Sequence, residues 1–320
     1  MAVEFGGPPG SGAEAGAGPG LADNFGAESG SGAAPEAGAP PFLAPGRAVT
    51  LPGRGTTFVR EVAGPPGAPT VMLLHGWTAT AGLNWFACFE PLGRSFRVVA
   101  MDQRGHGRGI RSMRPFRLED CADDVAALAE ELNIDRLIPM GYSMGGPVAA
   151  LVWRRHRRLV QGLVLCATAR RFSQAGPVER VMAGGMLGLS VAASLSPGAA
   201  RRLTLDRMIN SRVNGSPYGS WAAGELQGNS MAALLQAGAA LTTFDGREWL
   251  RQIDVPTAVI VTEFDRVVAP ISQLALASTI PDADLFRVDG GHTVCALDPD
   301  CFVPVLSAAC SRVARRAAHR

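Results

Sequence analysis

The stretch Leu137-Ile138-Pro139-Met140-Gly141-Tyr142-Ser143-Met144-Gly145-Gly146 joins an apolar run to a serine that has a glycine two positions to either side. The following residues, Pro147 to Trp153, have the apolar composition of a buried helix. A strand, a sharp turn and a helix in this order expose a nucleophilic hydroxyl at the edge of a sheet. Both glycines are needed because a Cβ there would collide with the adjoining helix and strand. We therefore interpret Ser143 as a candidate nucleophile, with a helix-capping serine as the structural alternative.

The segments around this serine alternate between short apolar runs and helical patterns. Predicted strands cover Ala48–Leu51, Thr56–Val62, Val71–Leu74, Phe96–Met101, Arg136–Met140, Leu159–Cys166, Ala258–Thr262 and Asp284–Val288. Predicted helices cover Leu83–Leu92, Leu118–Leu132, the segment after Ser143, Pro270–Thr279 and the segment near Pro299–Ala318. The first two strands read as a hairpin, and the later alternation implies right-handed crossovers. The expected fold is α/β, with a mostly parallel central sheet flanked by helices.

Two segments interrupt the alternation. Residues 1–46 are rich in Gly, Ala, Pro and Ser and contain acidic but no basic residues, which predicts a disordered acidic tail. Residues from about 170 to 248 show no strand pattern but have helical patterns at Pro177–Ala193 and Asn229–Leu241. We expect a helical cap at this position, inserted into a domain that spans residues 47–320. The most apolar part of the cap, Val181–Leu189, either packs on the core or lines an apolar substrate cleft.

Composition narrows the classes of function. Hydrophobic residues make up 47% of the 320 residues, enough for a sizeable core, and the net charge of +2 gives no general attraction to nucleic acid. The six cysteines lack metal-site spacing, so we expect neither a metal nor another cofactor, and a reducing environment.

The same sequence shows no membrane-spanning run and no recognisable signal peptide. A cytoplasmic protein without a transmembrane segment is therefore expected. The apolar cap leaves peripheral contact with a membrane open.

A serine hydroxyl is a weak nucleophile at neutral pH and needs a base, which in turn needs an orienting carboxylate. In this architecture the acid and the histidine follow the serine in that order, each after a later strand. The strand Ala258–Thr262 runs into Asp265, and the strand Asp284–Val288 runs into His292. We predict that His292 is the base and Asp265 its orienting acid, with Glu263 as the competing acid.

Acyl transfer also needs donors for the oxyanion that develops on the substrate. The residue after the nucleophile, Met144, supplies one backbone N–H. The loop His75-Gly76-Trp77 follows an earlier strand and suits the second donor, the backbone N–H of Trp77, whose ring would wall the pocket. The structural alternative for Trp77 is a core aromatic residue.

The last motif is the loop Asp102-Gln103-Arg104-Gly105-His106-Gly107. Together with the motifs above it resembles the α/β-hydrolase fold superfamily, and most of all its capped bacterial serine hydrolases of the esterase and lipase type, over about residues 55–315. The resemblance implies that this loop braces the loops around the serine, so Asp102 and His106 receive no catalytic role. The chain departs from the family pattern near the acid, with Thr262 where Gly is frequent and Ala269 where Pro is frequent.

The resemblance and the apolar cap lead us to expect hydrolysis of a small-molecule carboxylic ester, of an apolar acyl group, through an acyl-enzyme. A serine nucleophile argues against the dehalogenases and epoxide hydrolases of the superfamily, which use aspartate. Thioesterase, amidase, carbon–carbon hydrolase, perhydrolase and acyltransferase chemistry stay open, as does a non-catalytic protein that binds a small ligand. Four arginines in the cap are interpreted as a solvated face, with a site for a carboxylate or phosphate group as the alternative: Arg201, Arg202, Arg207 and Arg212.

Overall fold

A central sheet organises the computed structural model, which describes residues 40, 42–172, 177–195 and 218–320. Its strands are β1 (Gly46–Leu51), β2 (Gly55–Val62), β3 (Thr70–Leu74), β4 (Arg97–Met101), β5 (Leu137–Tyr142), β6 (Leu163–Cys166), β7 (Thr257–Thr262) and β8 (Asp284–Val288). Their spatial order is β1-β2-β4-β3-β5-β6-β7-β8. Strand β2 pairs antiparallel with β1 and β4, and the other neighbours pair parallel. The predicted α/β fold with a mostly parallel sheet is confirmed.

Helices cover both faces of this sheet. In the described ranges they are α1 (Ala81–Trp85), α2 (Phe89–Gly93), α3 (Leu118–Glu131), α4 (Gly145–Arg155), α5 (Pro177–Leu195), α6 (Gly219–Gln227), α7 (Met231–Thr243), α8 (Pro270–Ala277), α9 (Val294–Leu297) and α10 (Pro299–Ala318). Alternate residues of β3 separate the two layers of the core. Met72 and Leu74 pack with α3 and α4, whereas Val71 and Leu73 pack with α1, α2 and α10.

Two predicted elements differ in the structure. The helix predicted at Leu83–Leu92 is two short helices, α1 and α2. Pro91 explains the break, because it has no N–H to donate to the carbonyl of Ala87 and its ring would collide with that carbonyl. The strand predicted from Leu159 begins only at β6, and a 3₁₀ turn occupies Arg157–Leu159.

Between β6 and β7 the described residues form three helices, α5, α6 and α7, and we call them the inserted helices. Helices α5 and α7 cover the two segments with predicted helical patterns, whereas α6 was not predicted. Arg171 and Asp245 form an isolated antiparallel β-bridge, so the chain before the inserted helices lies beside the chain after them. Throughout the described ranges, every helix is too short or too polar to cross a bilayer. Most of the predicted acidic tail and Arg201, Arg202, Arg207 and Arg212 lie outside the described residues.

Candidate active site

Ser143 lies on the tight turn between β5 and α4, in the left-handed backbone region at φ 52°. That conformation is strained for a residue with a Cβ. The surrounding backbone holds it there: the Ser143 N–H donates to the carbonyl of Cys166 at 2.9 Å. The Thr168 hydroxyl donates to the Ser143 carbonyl at 2.8 Å. The side chain is largely shielded, because Ser143 is only 7% exposed.

The two flanking glycines have the steric role that the sequence predicts. A Cβ on Gly141 would overlap the carbonyl of Gly145 in α4. A Cβ on Gly145 would overlap the carbonyl of Leu74 at the end of β3. Any side chain at either position would therefore push the helix away from the sheet and move Ser143.

A chain of hydrogen bonds connects Ser143, His292 and Asp265. The Nε2 atom of His292 lies 3.0 Å from the Ser143 hydroxyl, and its Nδ1 atom lies 2.7 Å from Oδ2 of Asp265. An ionised carboxylate only accepts, so Nδ1 carries the proton and Nε2 is left as the acceptor for the serine proton. The Tyr142 hydroxyl donates to the carbonyl of His292 at 3.0 Å, which holds the backbone of this loop.

Asp265 is buried and all of its bonding capacity is used. Besides His292, its Oδ2 atom accepts from the Thr262 hydroxyl at 2.8 Å and from the Gln273 amide at 3.2 Å. Its Oδ1 atom accepts from the N–H groups of Val267 and Val268, both at 2.8 Å. Burial alone would raise the pKa of Asp265, but the bonds from His292 and the backbone outweigh it and lower the pKa below the usual value. Asp265 is therefore an anion, and it lies beside the Nδ1 atom of His292.

Glu263, the competing acid, points away from the histidine. Its carboxylate forms an ion pair with Arg287 at 2.6 Å, and its side chain is 38% exposed. Both residues follow Thr262, the last residue of β7, in a turn that places the two carboxylates in different surroundings. The geometry favours Asp265.

The loop after β3 passes directly beside the serine. A Cβ on Gly76 would lie 3.3 Å from the Ser143 Cβ. The side-chain oxygen of Asn84 accepts from the Gly76 N–H at 2.9 Å, and its amide nitrogen lies 3.4 Å from the Cys295 sulfur. Asn84 thus connects this loop with α9, which follows His292.

The two predicted oxyanion donors lie on this loop and at the start of α4. Within the described part of the chain, neither the backbone N–H of Trp77 nor that of Met144 donates a hydrogen bond. Free N–H groups are the rule in the first turn of a helix, where Met144 caps α4. Trp77 is 37% exposed, so it is not the core aromatic residue of the alternative reading.

The loop that begins at Asp102 is built into the scaffold. The Asp102 carboxylate accepts from the N–H of Ala81 and of Arg108, both at 2.8 Å. Neighbouring His75 donates from Nδ1 to the Gly76 carbonyl and accepts the Gln103 N–H at Nε2. Burial lowers the pKa of His75 to about 4.

His106 packs against His75 at a ring separation of 5.3 Å. Burial, with the neighbouring His75, lowers the pKa of His106 to about 3. Within the described residues, neither ring forms a hydrogen bond with Ser143. The family pattern also implied a structural role for Asp102 and His106.

The sequence did not predict a role for three residues that support the site: Asn84, Thr168 and Gln273. Each is a buried polar side chain that bonds to a residue of the candidate site. Their own neighbours in the sequence form no motif. A signal does exist for Gln273, because a polar residue on the buried side of α8 needs a partner in the core. In the described ranges, no cluster of His, Cys, Asp and Glu suits a metal ion.

Several known proteins with similar sequences or folds are named as hydrolases. The chain is 29% identical over 248 residues to a putative carbamate hydrolase, RutD, of Agrobacterium fabrum, and the match covers 73% of this chain and 90% of the relative. The fold superposes on an enol-lactonase from Burkholderia xenovorans LB400 with a TM-score of 0.67 and 22% identity, over 83% of this chain and 100% of the other. A thermophilic esterase from Thermogutta terrifontis gives a TM-score of 0.68 and 23% identity, over 84% and 99%. The sequence model of the α/β hydrolase fold matches residues 69–299, so this chain belongs to the α/β hydrolase fold family.

Proposed function

We propose that the protein hydrolyses carboxylic esters of apolar acyl groups with Ser143, His292 and Asp265 as its catalytic triad. The hydrogen-bonded chain from the Ser143 hydroxyl at 3.0 Å to His292 and at 2.7 Å on to Asp265 carries the proposal. A nucleophile, a base and an orienting anion in this order are what acyl transfer requires.

The proposed reaction has two halves. The Ser143 oxygen attacks the ester carbonyl while its proton passes to Nε2 of His292, and the carbonyl electron pair moves to the oxygen. The N–H groups of Trp77 and Met144 stabilise that oxyanion. As the carbonyl re-forms, the ester C–O bond breaks and the alcohol leaves with the proton from His292. Water, deprotonated by His292, then attacks the acyl-enzyme and releases the acid and free Ser143.

The proposal treats the inserted helices as a cap over the site. Residues of these helices lie against Trp77, since a Cβ on Gly238 would approach both the Trp77 ring and the Met186 side chain. Large apolar side chains of α5, among them Val181, Met182 and Leu189, are exposed. An acyl chain of apolar character suits such surroundings.

Carbamate hydrolysis is the second candidate. It is supported by the relative named as a putative carbamate hydrolase, 90% of which is matched. The chemistry uses the same groups, because a carbamate carbonyl also passes through a tetrahedral oxyanion. The two candidates differ in the acyl group, which is apolar in one and a nitrogen-bearing group in the other.

The organisation we propose keeps one hydrolase domain, residues 47–320, with a cap from about 170 to 248 after an acidic tail of residues 1–46. A cytoplasmic location belongs to the same proposal. It is supported by the six cysteines, all of which are free thiols in this structure.

A fluorophosphonate probe tests the nucleophile, and a panel of p-nitrophenyl esters from acetyl to decanoyl, with phenyl carbamate, tests the substrate class. We expect labelling of the wild type, none of Ser143→Ala, and the highest kcat/KM for acyl chains longer than acetyl. Labelling that persists in Ser143→Ala would remove Ser143 from the proposal. Preference for the carbamate over every ester would replace the first candidate by the second.

A further inference from the structure

The side chain of Trp77 connects the proposed oxyanion loop to the inserted helices. Its indole N–H donates to the carbonyl of Leu234 in α7 at 2.8 Å, across 157 positions of sequence. The backbone N–H of the same residue is the second proposed oxyanion donor. A shift of the indole therefore moves a group that would contact the reacting oxygen.

The next residue of the loop is tied to the insertion as well. The Asn229 amide donates to the carbonyl of Thr78 at 3.1 Å. Thr78 has φ 66°, which is unfavourable for a β-branched residue. A strained conformation persists only where surrounding contacts hold it, and here contacts from the insertion contribute.

Helix α7 itself is fixed to the hydrolase core, so it is a firm support for the loop. The Ser230 N–H at its start donates to the carbonyl of Gly105 at 3.0 Å. Further along, the side-chain oxygen of Gln236 accepts from the Phe116 N–H at 2.7 Å. Both partners belong to core loops outside the insertion.

Gly238 provides the space in which the indole lies. It follows Leu234 by one helical turn and therefore shares its face of α7. A Cβ on Gly238 would lie 3.0 Å from Cζ2 of Trp77 and 3.1 Å from Cε of Met186, closer than ordinary contact. The acceptor carbonyl and the gap for the ring are thus one turn apart on one helix.

We propose that the indole of Trp77 is a positioning group: by its bond to α7 it holds the Trp77 backbone N–H where the oxyanion forms, so that the inserted helices contribute to the chemical step. This inference rests on the proposed function. It assigns the insertion a part in transition-state stabilisation in addition to covering the substrate.

Trp77→Phe tests the inference because it removes the N–H and keeps an aromatic ring. We expect kcat for the best ester to fall roughly three- to tenfold, the value of one net hydrogen bond, with KM within about twofold of wild type. The affinity for an alkyl trifluoromethyl ketone, which forms an oxyanion on Ser143, should fall by the same factor. A merely structural loss would not affect kcat and this inhibitor in parallel while sparing KM.

Gly238→Ala provides an independent variant that leaves Trp77 intact. Alanine favours a helix over glycine, which offsets the loss of the indole bond, so its Tm should stay close to that of wild type. We expect kcat and ketone affinity to fall nonetheless, because the new methyl group displaces the indole. Trp249→Phe is the matched control, since that indole is buried against Trp153 away from the site, and it should retain wild-type kcat.

Unchanged kcat and ketone affinity in both Trp77→Phe and Gly238→Ala would overturn the inference, as would an equal loss in Trp249→Phe. If Trp77→Phe does not fold, the Gly238→Ala result alone decides. Failure of the proposed function looks different, because the wild type itself would then show neither fluorophosphonate labelling nor ester turnover.

Discussion

At the scale of single residues, the direction of the side chain distinguishes the acid that pairs with an arginine from the acid that bonds to His292. Glu263 and Asp265 stand two positions apart after the same strand, and either suited the sequence pattern. The structure pairs Glu263 with Arg287 at the surface, whereas Asp265 lies in a buried cage of donors that includes His292. Thr262, unusual for the family pattern, takes part in this cage through its hydroxyl.

Substitution of the two acids tests this assignment. Asp265→Asn keeps the shape but offers an amide in place of the anion, which favours the wrong tautomer of His292. We expect kcat to fall by about 10³–10⁴-fold, with little change in KM. Glu263→Gln, the matched control, should stay within about twofold of wild type in the same steady-state ester assay. Equal losses in the two variants would contradict the assignment.

The candidate nucleophile and base were predictable because local signals mark them. Glycine spacing identifies Ser143, and order along the chain identifies His292. Asn84 and Gln273 have no such signal, since each matters only through a partner brought near by folding.

At the scale of elements, the sequence did not predict α6, because its apolar residues do not follow a clear helical pattern. What holds α6 against the core is the side chain of Glu225. The carboxylate pairs with Arg60 of β2 at 3.4 Å and with Arg108 at 2.7 Å, and it accepts a hydrogen bond from the hydroxyl of Thr80. These partners come from the second strand and two core loops, so Glu225 connects α6 to three separate segments of the core.

Glu225→Ala should destabilise the protein strongly. The substitution deprives the guanidinium of Arg60, only 2% exposed, of this carboxylate. Loss of one partner in a buried pair typically costs about 3–5 kcal/mol, and we expect a decrease of this order in the free energy of unfolding in urea. Glu90→Ala removes an exposed pair with Arg94 and should change stability by less than about 0.5 kcal/mol. A Glu225→Ala protein as stable as the Glu90→Ala control would show that the buried ion pair does not contribute to stability.

At the scale of the whole molecule, two buried histidines connect stability to pH. His75 and His106 are fully buried and neutral, with pKa values lowered from 6.5 to about 4 and about 3. Below pH 6.5 the unfolded chain binds more protons than the folded protein does. Stability therefore falls as pH decreases from about 6.5 towards 4.

The slope of the free energy of unfolding against pH gives a measurable prediction. Each histidine contributes up to about 1.4 kcal/mol per pH unit in this window, so the free energy of unfolding should decrease by roughly 2–3 kcal/mol per unit for the pair. Urea titrations between pH 7 and 4.5 measure it. His106→Asn keeps a donor near the Nδ1 position and should reduce the slope by about half, whereas His319→Gln at the exposed end of α10 should leave it unchanged. A wild-type stability that is flat over this range would contradict the prediction.

The sequence determined the α/β class, most strand positions and the order of the candidate triad. Each of these depends on features within a few residues: alternation of apolar side chains, glycines where a Cβ does not fit, and polar residues at strand ends. Tertiary structure alone decided which acid faces His292 and that Trp77 bonds to Leu234. Those outcomes depend on contacts between residues far apart in the chain, and such contacts exist only after the sheet and the insertion have come together.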